Sequence, residues 1–445
     1  MRRRILIQNG TIVNEGLSFR GSLFIVGDVI ADITDSEADL ECYRDQADEV
    51  VDADGMLVLP GVIDTHVHFR QPGAESKETL ASGSAAAVLG GVTSFVDMPN
   101  NNPPAVTLDA LAAKRAIAAR DSLANYSFYI GATDDNIDQI LSADPRQVAG
   151  VKVFMGSSTG NMLVADDVAL ERIFSIRSMP VGVHCEDEAT IVANMAAARM
   201  QYGEDMPASA HPRIRSREAC LLSTRRAVSL AERFGAHLHV HHVTTAEELQ
   251  LIGEAKGRGV EVTCETTPNY LWFCDADYEH YGNRIKCNPA IKGAADREAL
   301  RSALRDGLVD TVATDHAPHR LADKLRPYAE APSGIPSVQI SLQMMLSLAQ
   351  QGAFSIERVV DAMCHAPARL LSIKGRGFLR PGNFADITVV DPCRSCSVKP
   401  ASACGWTPLD SFGITVLHTF VNGAHVVRDG ALTGQRDSEA LVFER

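Results

Sequence analysis

An apolar run passes directly into ionisable side chains in one stretch of the chain, Leu57-Val-Leu-Pro-Gly-Val-Ile-Asp-Thr-His-Val-His-Phe-Arg70. Its first part, Leu57–Val67, is a nearly continuous apolar run, which is typical of a buried parallel strand. His66 and His68 stand two residues apart at its end, so in a strand their side chains point to the same face. The stretch therefore predicts a strand that brings two imidazoles to one place.

Seven further strand-like runs follow: Gly91–Met98, Tyr126–Ala132, Val148–Met155, Met179–His184, His237–Val243, Val260–Cys264 and Leu308–Thr314. Segments rich in Ala, Leu, Glu and Arg lie between most of them and predict helices, as in Ala105–Arg120, Ser216–Phe234 and Ala246–Arg258, whereas Pro268 to Gly293 is loop-like. Eight such units predict an α/β fold, a TIM-like (β/α)8 barrel. An open doubly wound sheet would usually carry a Gly-rich dinucleotide loop after its first strand, but His68-Phe-Arg-Gln-Pro-Gly73 stands there instead.

Both ends of the chain are rich in short β-like runs. They are Ile5–Ile7, Thr11–Val13 and Ser22–Val26 near the start, and Ala385–Val390, Val416–Val421 and His425–Arg428 near the end. Asn422–Gly423 is a tight-turn signal between the last two. We therefore predict a small composite β-domain formed by residues 1–55 and 380–445, beside a barrel of residues 56–379.

Charge and composition narrow the class of protein. The formal net charge is −14 over 445 residues, and no Lys/Arg-rich run follows the first four, which argues against nucleic acid and acidic membranes as partners. No stretch approaches the roughly 20 apolar residues that cross a bilayer, and the first apolar run stops at Gln8, too early for a signal peptide. Ten cysteines scattered through a long chain are typical of reduced thiols. These features predict a cytoplasmic protein.

Ionisable side chains recur where the predicted strands end. Barrel enzymes carry their catalytic groups at the carboxyl ends of the strands. An isolated His-x-His pair can be two hydrogen-bonded histidines, but further ligand types occupy equivalent places on other strands, namely His184, His242 and Asp315. Imidazoles and carboxylates bind divalent metals such as zinc. The pattern therefore predicts a metal site at the barrel mouth.

Lys152 lies inside the apolar run Val151-Lys-Val-Phe154. Burial of an ammonium group is costly and lowers its pKa. The lysine can pair with a carboxylate, or it can react as a neutral amine with CO2 to give a carbamate. A carbamate has two oxygens and can bridge two metal ions that together activate a water molecule. The neighbouring histidines and Asp315 favour the carbamate.

Three more residues have functional interpretations. Asp315 can serve as both metal ligand and general base, passing a proton from the attacking water to the leaving nitrogen; the alternative is a helix cap. Arg70 can bind a carboxylate through its guanidinium fork, with a surface salt bridge as the alternative, and Asn100 supplies an amide donor. Arg70 and Asn100 together predict a small-molecule substrate that carries a carboxylate.

Three motifs carry a resemblance to a known family. They are Pro60-Gly-Val-Ile-Asp-Thr-His-Val-His-Phe-Arg-Gln-Pro-Gly73, Met98-Pro-Asn-Asn-Asn-Pro-Pro104 and Ala313-Thr-Asp-His-Ala-Pro-His319. In this order they resemble motifs of the amidohydrolase superfamily and, within it, of the dihydroorotase family. The resemblance extends over nearly the whole chain, including the β-rich ends.

The resemblance implies a site with two Zn²⁺ ions. His66 and His68 would bind one ion, His184 and His242 the other, and a carboxylated Lys152 would bridge them, with Asp315 as ligand and general base. The stretch from Gly150 to Val164 resembles the family members that use a lysine rather than an aspartate as the bridge. The residues implied to hold the substrate carboxylate and ring are Arg70, Asn100, His319, Asn288 and the backbone of Gly334.

The implied activity is the reversible cyclisation of N-carbamoyl-L-aspartate to L-dihydroorotate with loss of water, in de novo pyrimidine (UMP) biosynthesis. The family suggests dimers or tetramers, and a homodimer is the assembly that we predict. Two motifs depart from the family: Pro268-Asn-Tyr-Leu271 replaces Pro-His-His-Leu, and Asn288-Pro-Ala-Ile-Lys292 replaces Asn-Pro-Pro-Leu-Arg. Both motifs border the expected pocket, so the motifs do not decide which substrate ring the pocket binds. The alternatives are an allantoinase, a dihydropyrimidinase/hydantoinase, and a non-catalytic partner of aspartate transcarbamoylase.

Overall fold

The N-terminal segment forms half of a β-sheet. The structure is a computed structural model that describes residues 2–156, 162–164 and 166–445. The first elements are β1 (Arg4–Asn14), β2 (Leu17–Val26), β3 (Val29–Thr34), α1 (Glu37–Gln46), β4 (Glu49–Asp52) and β5 (Leu57–Pro60). The alternating apolar residues of β1 and β2 are buried in one cluster with those of the C-terminal strands, which is why this sheet needs both chain ends.

Parallel strands follow, and all of them are short and almost entirely buried. They are β6 (Val62–Val67), β7 (Val92–Asp97), β8 (Asn125–Phe128), β9 (Ile130–Gly131), β10 (Val151–Phe154), β11 (Val181–His184), β12 (Leu238–Val240), β13 (Val262–Thr266) and β14 (Thr311–Val312). Each strand pairs in parallel with its neighbour along the chain, and β8 and β9 share one position, since β8 pairs with β7 and β9 with β10. A parallel bridge between Val67 and His316 joins the last unit to the first. The fold is therefore the predicted (β/α)8 barrel.

Helices connect the barrel strands. They are α2 (Leu80–Leu89), α3 (Leu108–Asp121), α4 (Ile137–Leu141), α5 (Asp167–Phe174), α6 (Glu188–Tyr202), α7 (His211–Ile214), α8 (Arg217–Phe234), α9 (Ala246–Gly257), α10 (Pro268–Trp272), α11 (Tyr278–Tyr281), α12 (Ala294–Arg305), α13 (Leu321–Lys324), α14 (Ser341–Gln350), α15 (Ile356–Val360) and α16 (Ala366–Leu371). Side-chain caps fix the starts of several of them. At the start of α8, for example, Ser216 accepts a hydrogen bond from Ala219 N, and this helix ends at Gly235 with φ 73°. Across the described parts of the chain, every helix is too short or too polar to cross a membrane.

The chain returns to the first sheet at its end. The last strands are β15 (Ile387–Asp391), β16 (Cys396–Ser397), β17 (Ser411–Phe412), β18 (Thr415–Val421), β19 (Ala424–Arg428) and β20 (Ala431–Leu432). The strand order β20-β19-β18-β15-β5-β1-β2-β3, with β4 also paired to β1, makes one nine-stranded sheet from both chain ends. The predicted composite β-domain is thus present.

Two predictions about elements were wrong. Leu57–Val67 is two strands rather than one: β5 belongs to the composite sheet, β6 to the barrel, and Gly61 lies between them. A Cβ on Gly61 would lie 2.1 Å from Thr93 Oγ1, so only glycine lets the chain pass so close to β7. The predicted loop from Pro268 to Gly293 contains α10 and α11, each too short to show a helical period.

Candidate metal centre and substrate pocket

The carboxyl ends of β6 and β14 bring three predicted ligands together. Asp315 Oδ1 lies 3.3 Å from His66 Nε2 and 3.0 Å from His68 Nε2, and the three side chains form a cluster able to hold a metal ion. Asp315 follows β14 with φ 47°. Burial acts to raise the pKa of Asp315, but His66 and His68 outweigh it and hold that pKa below its ordinary value. The carboxylate therefore stays ionised, as a ligand must be.

The other ring nitrogens of these two histidines are already engaged. His66 Nδ1 lies 2.6 Å from Glu265 Oε1, and His68 Nδ1 lies 2.7 Å from Asn100 Oδ1. Metal-binding histidines commonly donate their second N–H to such an oxygen, which fixes the ring and its tautomer. Nε2 is therefore the ring nitrogen through which either histidine could bind a metal.

A second pair of imidazoles lies at the ends of β11 and β12. His184 Nδ1 is 2.9 Å from His242 Nε2, while His184 Nε2 is 2.9 Å from Glu186 Oε2. Arg215 also contacts Glu186. Burial lowers the pKa of His184 and that of His242, so both rings are neutral, which is the form that binds metals. Two ring nitrogens thus face one another, as two ligands of one ion would.

Lys152 lies on β10, beside β11, which ends in His184. Its side chain is fully buried, and its Nζ has no hydrogen-bond partner among the described residues. Burial lowers the pKa of Lys152 to about 8, although Glu265 and Asp315 act in the opposite direction. Lys152 therefore loses its proton more readily than an exposed lysine, although the protonated form still predominates at neutral pH. The neutral imidazoles and the ionised carboxylate are a donor set that fits divalent metals.

Arg70 lies two residues after His68 and has a positive backbone φ of 58°. Only 6% of the residue is exposed, its Nε has no partner, and its Nη2 lies 3.3 Å from His319 Nε2. Among the described residues, no carboxylate forms an ion pair with it. Burial lowers the pKa of Arg70 to about 10, so the guanidinium remains charged at neutral pH. It is a buried cation that needs an anion.

The remaining predicted substrate residues have different surroundings. Asn288 Oδ1 is buried with no partner among the described residues. His319 Nε2 is 3.0 Å from the Ser333 carbonyl, and burial holds the pKa of His319 well below its ordinary value. Gly334 N donates to the Lys286 carbonyl over 2.8 Å, and the Gly334 carbonyl accepts from Lys324 Nζ, also over 2.8 Å. The backbone at Gly334 is thus held firmly in place.

The two departures from the family motifs contact each other. Tyr270 Oη donates to the Pro289 carbonyl over 2.7 Å, so the two departing stretches contact each other through this hydrogen bond. Asn269 Nδ2 donates to Ser337 Oγ over 3.2 Å. Of the quoted lysine motif, residues 157–161 lie outside the described residues.

Sequence reasoning missed a carboxylate that contacts His66, one of the predicted metal ligands. Glu265 Oε1 lies 3.2 Å from His241 Nδ1, and Oε2 lies 3.4 Å from His239 Nε2, in addition to the His66 contact. His66, His241 and Glu265 form a second cluster able to hold a cation. These histidines hold the pKa of Glu265 well below its ordinary value, although burial opposes them. The available signal was one acidic residue inside the apolar run Val262-Thr-Cys-Glu-Thr266.

Comparison with known sequences gives one consistent family. A sequence model of the amidohydrolase family matches residues 57–426. A dihydroorotase from Halobacterium salinarum is 38% identical over 377 residues, or 83% of this chain and 86% of that protein. A dihydroorotase from Enterococcus faecalis is 33% identical over 432 residues, or 95% of this chain and 98% of that protein.

Comparison with solved structures finds proteins of the same fold that are named hydantoinase or dihydropyrimidinase. The L-hydantoinase (dihydropyrimidinase) from Arthrobacter aurescens superposes with a TM-score of 0.93 at 27% identity, covering 99% of this chain and 100% of that one. The dihydropyrimidinase from Brevibacillus agri gives a TM-score of 0.89 at 25% identity, with 99% and 100% coverage. The relatives by sequence and by structure differ in the ring that their names imply.

Proposed function

Because the chain belongs to the amidohydrolase family, whose members are generally metal-dependent hydrolases, we propose that it is the dihydroorotase of de novo pyrimidine (UMP) biosynthesis. It would interconvert N-carbamoyl-L-aspartate and L-dihydroorotate, a small-molecule reaction that releases water on ring closure and consumes it on ring opening. The curated relatives support this proposal, since those named dihydroorotase are as much as 38% identical over most of the chain.

The observation that carries the proposal is the buried Arg70 without a carboxylate partner. An unpaired buried charge is strongly unfavourable, and a bound carboxylate would form the bidentate pair that a guanidinium prefers. L-dihydroorotate has such a carboxylate on its ring. The rings opened by allantoinases and dihydropyrimidinases or hydantoinases lack it, so Arg70 favours a dihydroorotase over these alternatives.

The metal ligands in this proposal are the six predicted residues, and the cofactor is a pair of Zn²⁺ ions. His66 and His68 would bind one ion, His184 and His242 the other, with Asp315 as a further ligand. The neutral amine of Lys152 would react with CO2 to give a carbamate and a proton, and the carbamate would bridge the two ions. When bound, the metal supplies Lewis-acid polarisation of the ring carbonyl and lowers the pKa of water.

The protein residues supply positioning and proton transfer. Asp315 accepts the proton of the attacking water and returns it to the ring nitrogen as the C–N bond breaks. Arg70 and Asn100 hold the carboxylate, so the scissile bond is fixed before the reaction begins. Asn288 Oδ1, buried without a described partner, would accept a hydrogen bond from a ring N–H. His319 and the second lone pair of the Gly334 carbonyl complete the pocket.

A substrate panel tests the activity. Metal-loaded protein is incubated separately with L-dihydroorotate, dihydrouracil, hydantoin and allantoin, and ring opening is followed. We expect a strong preference for L-dihydroorotate that is lost in Arg70→Met. Turnover of the uncharged rings alone would overturn the substrate assignment but not the hydrolase. No turnover of any ring, together with no bound zinc, would instead favour a non-catalytic partner of aspartate transcarbamoylase.

The metal and the carbamate need their own measurements. We expect about two zinc ions per chain by elemental analysis, as the two-metal arrangement requires. After incubation with ¹³C-bicarbonate, carbon NMR should show a carbamate signal that Lys152→Gln lacks. We also propose a homodimer in the cytoplasm, on the basis of the family resemblance and the cysteine content; sedimentation would measure the oligomeric state.

A further inference from the structure

A buried lysine on the outer helix α3 reaches the two loops that carry the carboxylate-binding residues. Lys114 is 1% exposed. Its Nζ donates to the Met98 carbonyl over 2.8 Å and to Asn101 Oδ1 over 2.7 Å, and it forms an ion pair of 2.7 Å with Asp97 Oδ2. We propose that Lys114 is a positioning residue that sets the carboxylate specificity of this enzyme by fixing the loops of Arg70 and Asn100. This role rests on the proposed function.

The first loop is held on both sides of Arg70. Asp97 Oδ1 accepts a hydrogen bond of 2.9 Å from Phe69 N, and Asn101 Nδ2 donates over 3.1 Å to the Gln71 carbonyl. Both of these side chains are held by Lys114. Arg70 has a φ of 58°, a conformation that non-glycine residues keep only where their surroundings enforce it. The Lys114 contacts are those surroundings.

The second loop is held on both sides of Asn100. Lys114 binds the carbonyl of Met98, two residues before Asn100, and the side chain of Asn101 directly after it. A single ammonium group therefore fixes the separation between the arginine and the asparagine. Since the enzyme must place a carboxylate between these two side chains, a shift of either loop weakens binding of that carboxylate, while of the six proposed metal ligands one, His68, contacts Asn100.

Helix packing alone does not call for a lysine at this position. The described buried residues of α3 are Leu111, Lys114 and Ala118, which form one stripe facing the barrel. An apolar side chain at the centre of that stripe would pack there without the cost of burying two charges, a replacement that often leaves stability unchanged or improved. The Lys114–Asp97 pair therefore has a role beyond packing, and its contacts with the loops of Arg70 and Asn100 indicate a positioning role.

The test compares ligands that differ only at the carboxylate. In zinc-loaded Lys114→Met, kcat and KM for L-dihydroorotate are measured, with inhibition constants for orotate and for its uncharged amide, orotamide. We expect KM to rise by about tenfold or more with a smaller change in kcat, as for a lost binding interaction. The preference for orotate over orotamide should fall by a similar factor, while the zinc content stays that of the wild type.

A matched control comes from the opposite end of the barrel. Lys256 on α9 donates to the Leu308 carbonyl over 2.8 Å and pairs with Asp310 Oδ2 at 2.7 Å, just before β14 begins. Lys256→Met removes an ion pair of the same length, in which both side chains are 26% exposed, far from the pocket, and should leave the orotate preference unchanged. If Lys114→Met does not fold, the double variant Asp97→Asn/Lys114→Met, which leaves no unpaired carboxylate, replaces it.

The outcomes separate this inference from the proposed function. Unchanged ligand discrimination in a folded, zinc-loaded Lys114 variant would overturn the positioning role. Equal loss of discrimination in Lys256→Met would also overturn it, since any destabilised barrel would then behave alike. A wild-type enzyme that neither opens L-dihydroorotate nor prefers orotate to orotamide would overturn the proposed function, and the role of Lys114 with it.

Discussion

Glu265 Oε1 lies 2.6 Å from Nδ1 of His66, although 199 residues separate the two in the chain. The contact orients the imidazole so that its Nε2 faces Asp315, and the ionised carboxylate makes that nitrogen a stronger donor to a metal. Glu265 also lies within reach of His239 and His241. One carboxylate on β13 therefore contacts three histidines, one on β6, one on β12 and one directly after β12.

Glu265→Gln should weaken zinc binding by about 10–100-fold, as is typical when such a partner of a metal ligand is lost. The amide cannot supply the negative charge that holds the imidazole N–H. Competition with a chelator gives the affinity. Glu248→Gln is the control: Glu248 is equally buried but contacts Thr224 and Thr245 instead of the histidines. Similar zinc affinities in all three proteins would disprove the role of Glu265.

Asp315→Asn should lower kcat by at least about 10²–10⁴-fold, the usual contribution of a general base, while the melting temperature changes little. Steady-state assays with L-dihydroorotate and thermal unfolding measure the two effects. Asp310→Asn, in the strand position before β14, is the comparison and should cost stability rather than activity, because Asp310 binds Lys256 and Cys264 N. Near-normal turnover by Asp315→Asn would rule out the proton-transfer role.

The sequence was sufficient where the physics is local. Apolar runs bounded by polar ends identified every barrel strand in its place, because a strand buried on both faces needs such a run. His66, His68 and Asp315 were found because strand ends converge at one face of a barrel, and the structure brings these three together. Predicted strand bounds were too long, since apolar residues continue beyond the last ladder hydrogen bond.

Contacts between distant residues could not be predicted from the sequence. Nothing in the run around Glu265 indicates which histidine it meets, and nothing around Lys114 indicates Asp97 rather than solvent. The break at Gly61 has the same origin: a glycine within an apolar run does not by itself end a strand, and only the neighbouring Thr93 makes glycine necessary there. Such features depend on how the helices and strands pack against each other, and the hydrophobic periodicity of the sequence carries no information about that packing.

Gly334→Ala should raise KM for L-dihydroorotate and lower the melting temperature. A Cβ at this position would lie 2.3 Å from the Ala317 carbonyl oxygen and 3.0 Å from His319 Cδ2, and the φ of 142° is strained for alanine. Backbone strain of this kind costs roughly 1–3 kcal/mol. Gly352→Ala separates backbone strain from steric contact. Its φ is 83°, but no atom lies within 4 Å of the added carbon. An unchanged KM in Gly334→Ala would mean that the displaced loop does not touch substrate.

The composite sheet should lose stability as the solution becomes acidic. Burial and the neighbouring His425 lower the pKa of His418 to about 4, whereas an unfolded histidine titrates near about 6.5. Between these values the unfolded chain binds more protons, so stability falls as pH falls from about 6.5 to 4. Thermal unfolding at several pH values should show a smaller decline for His418→Gln than for the wild type. The control His280→Gln, at an exposed position, should follow the wild type. Equal dependence of the melting temperature on pH in all three proteins would rule out His418 as the cause of the acid sensitivity.

The pairing of β5 with β15 has a consequence for synthesis of the chain. Leu57–Pro60 bonds directly to Ile387–Asp391, yet the whole barrel is translated between them. At about 5–20 residues per second, the ribosome needs roughly 15–70 s to deliver the second strand. During that time β5 presents an open, apolar edge, the kind that attracts other chains. Truncation before Ile387 would make this temporary hazard permanent, so shortened chains should aggregate even though their barrel sequence is intact.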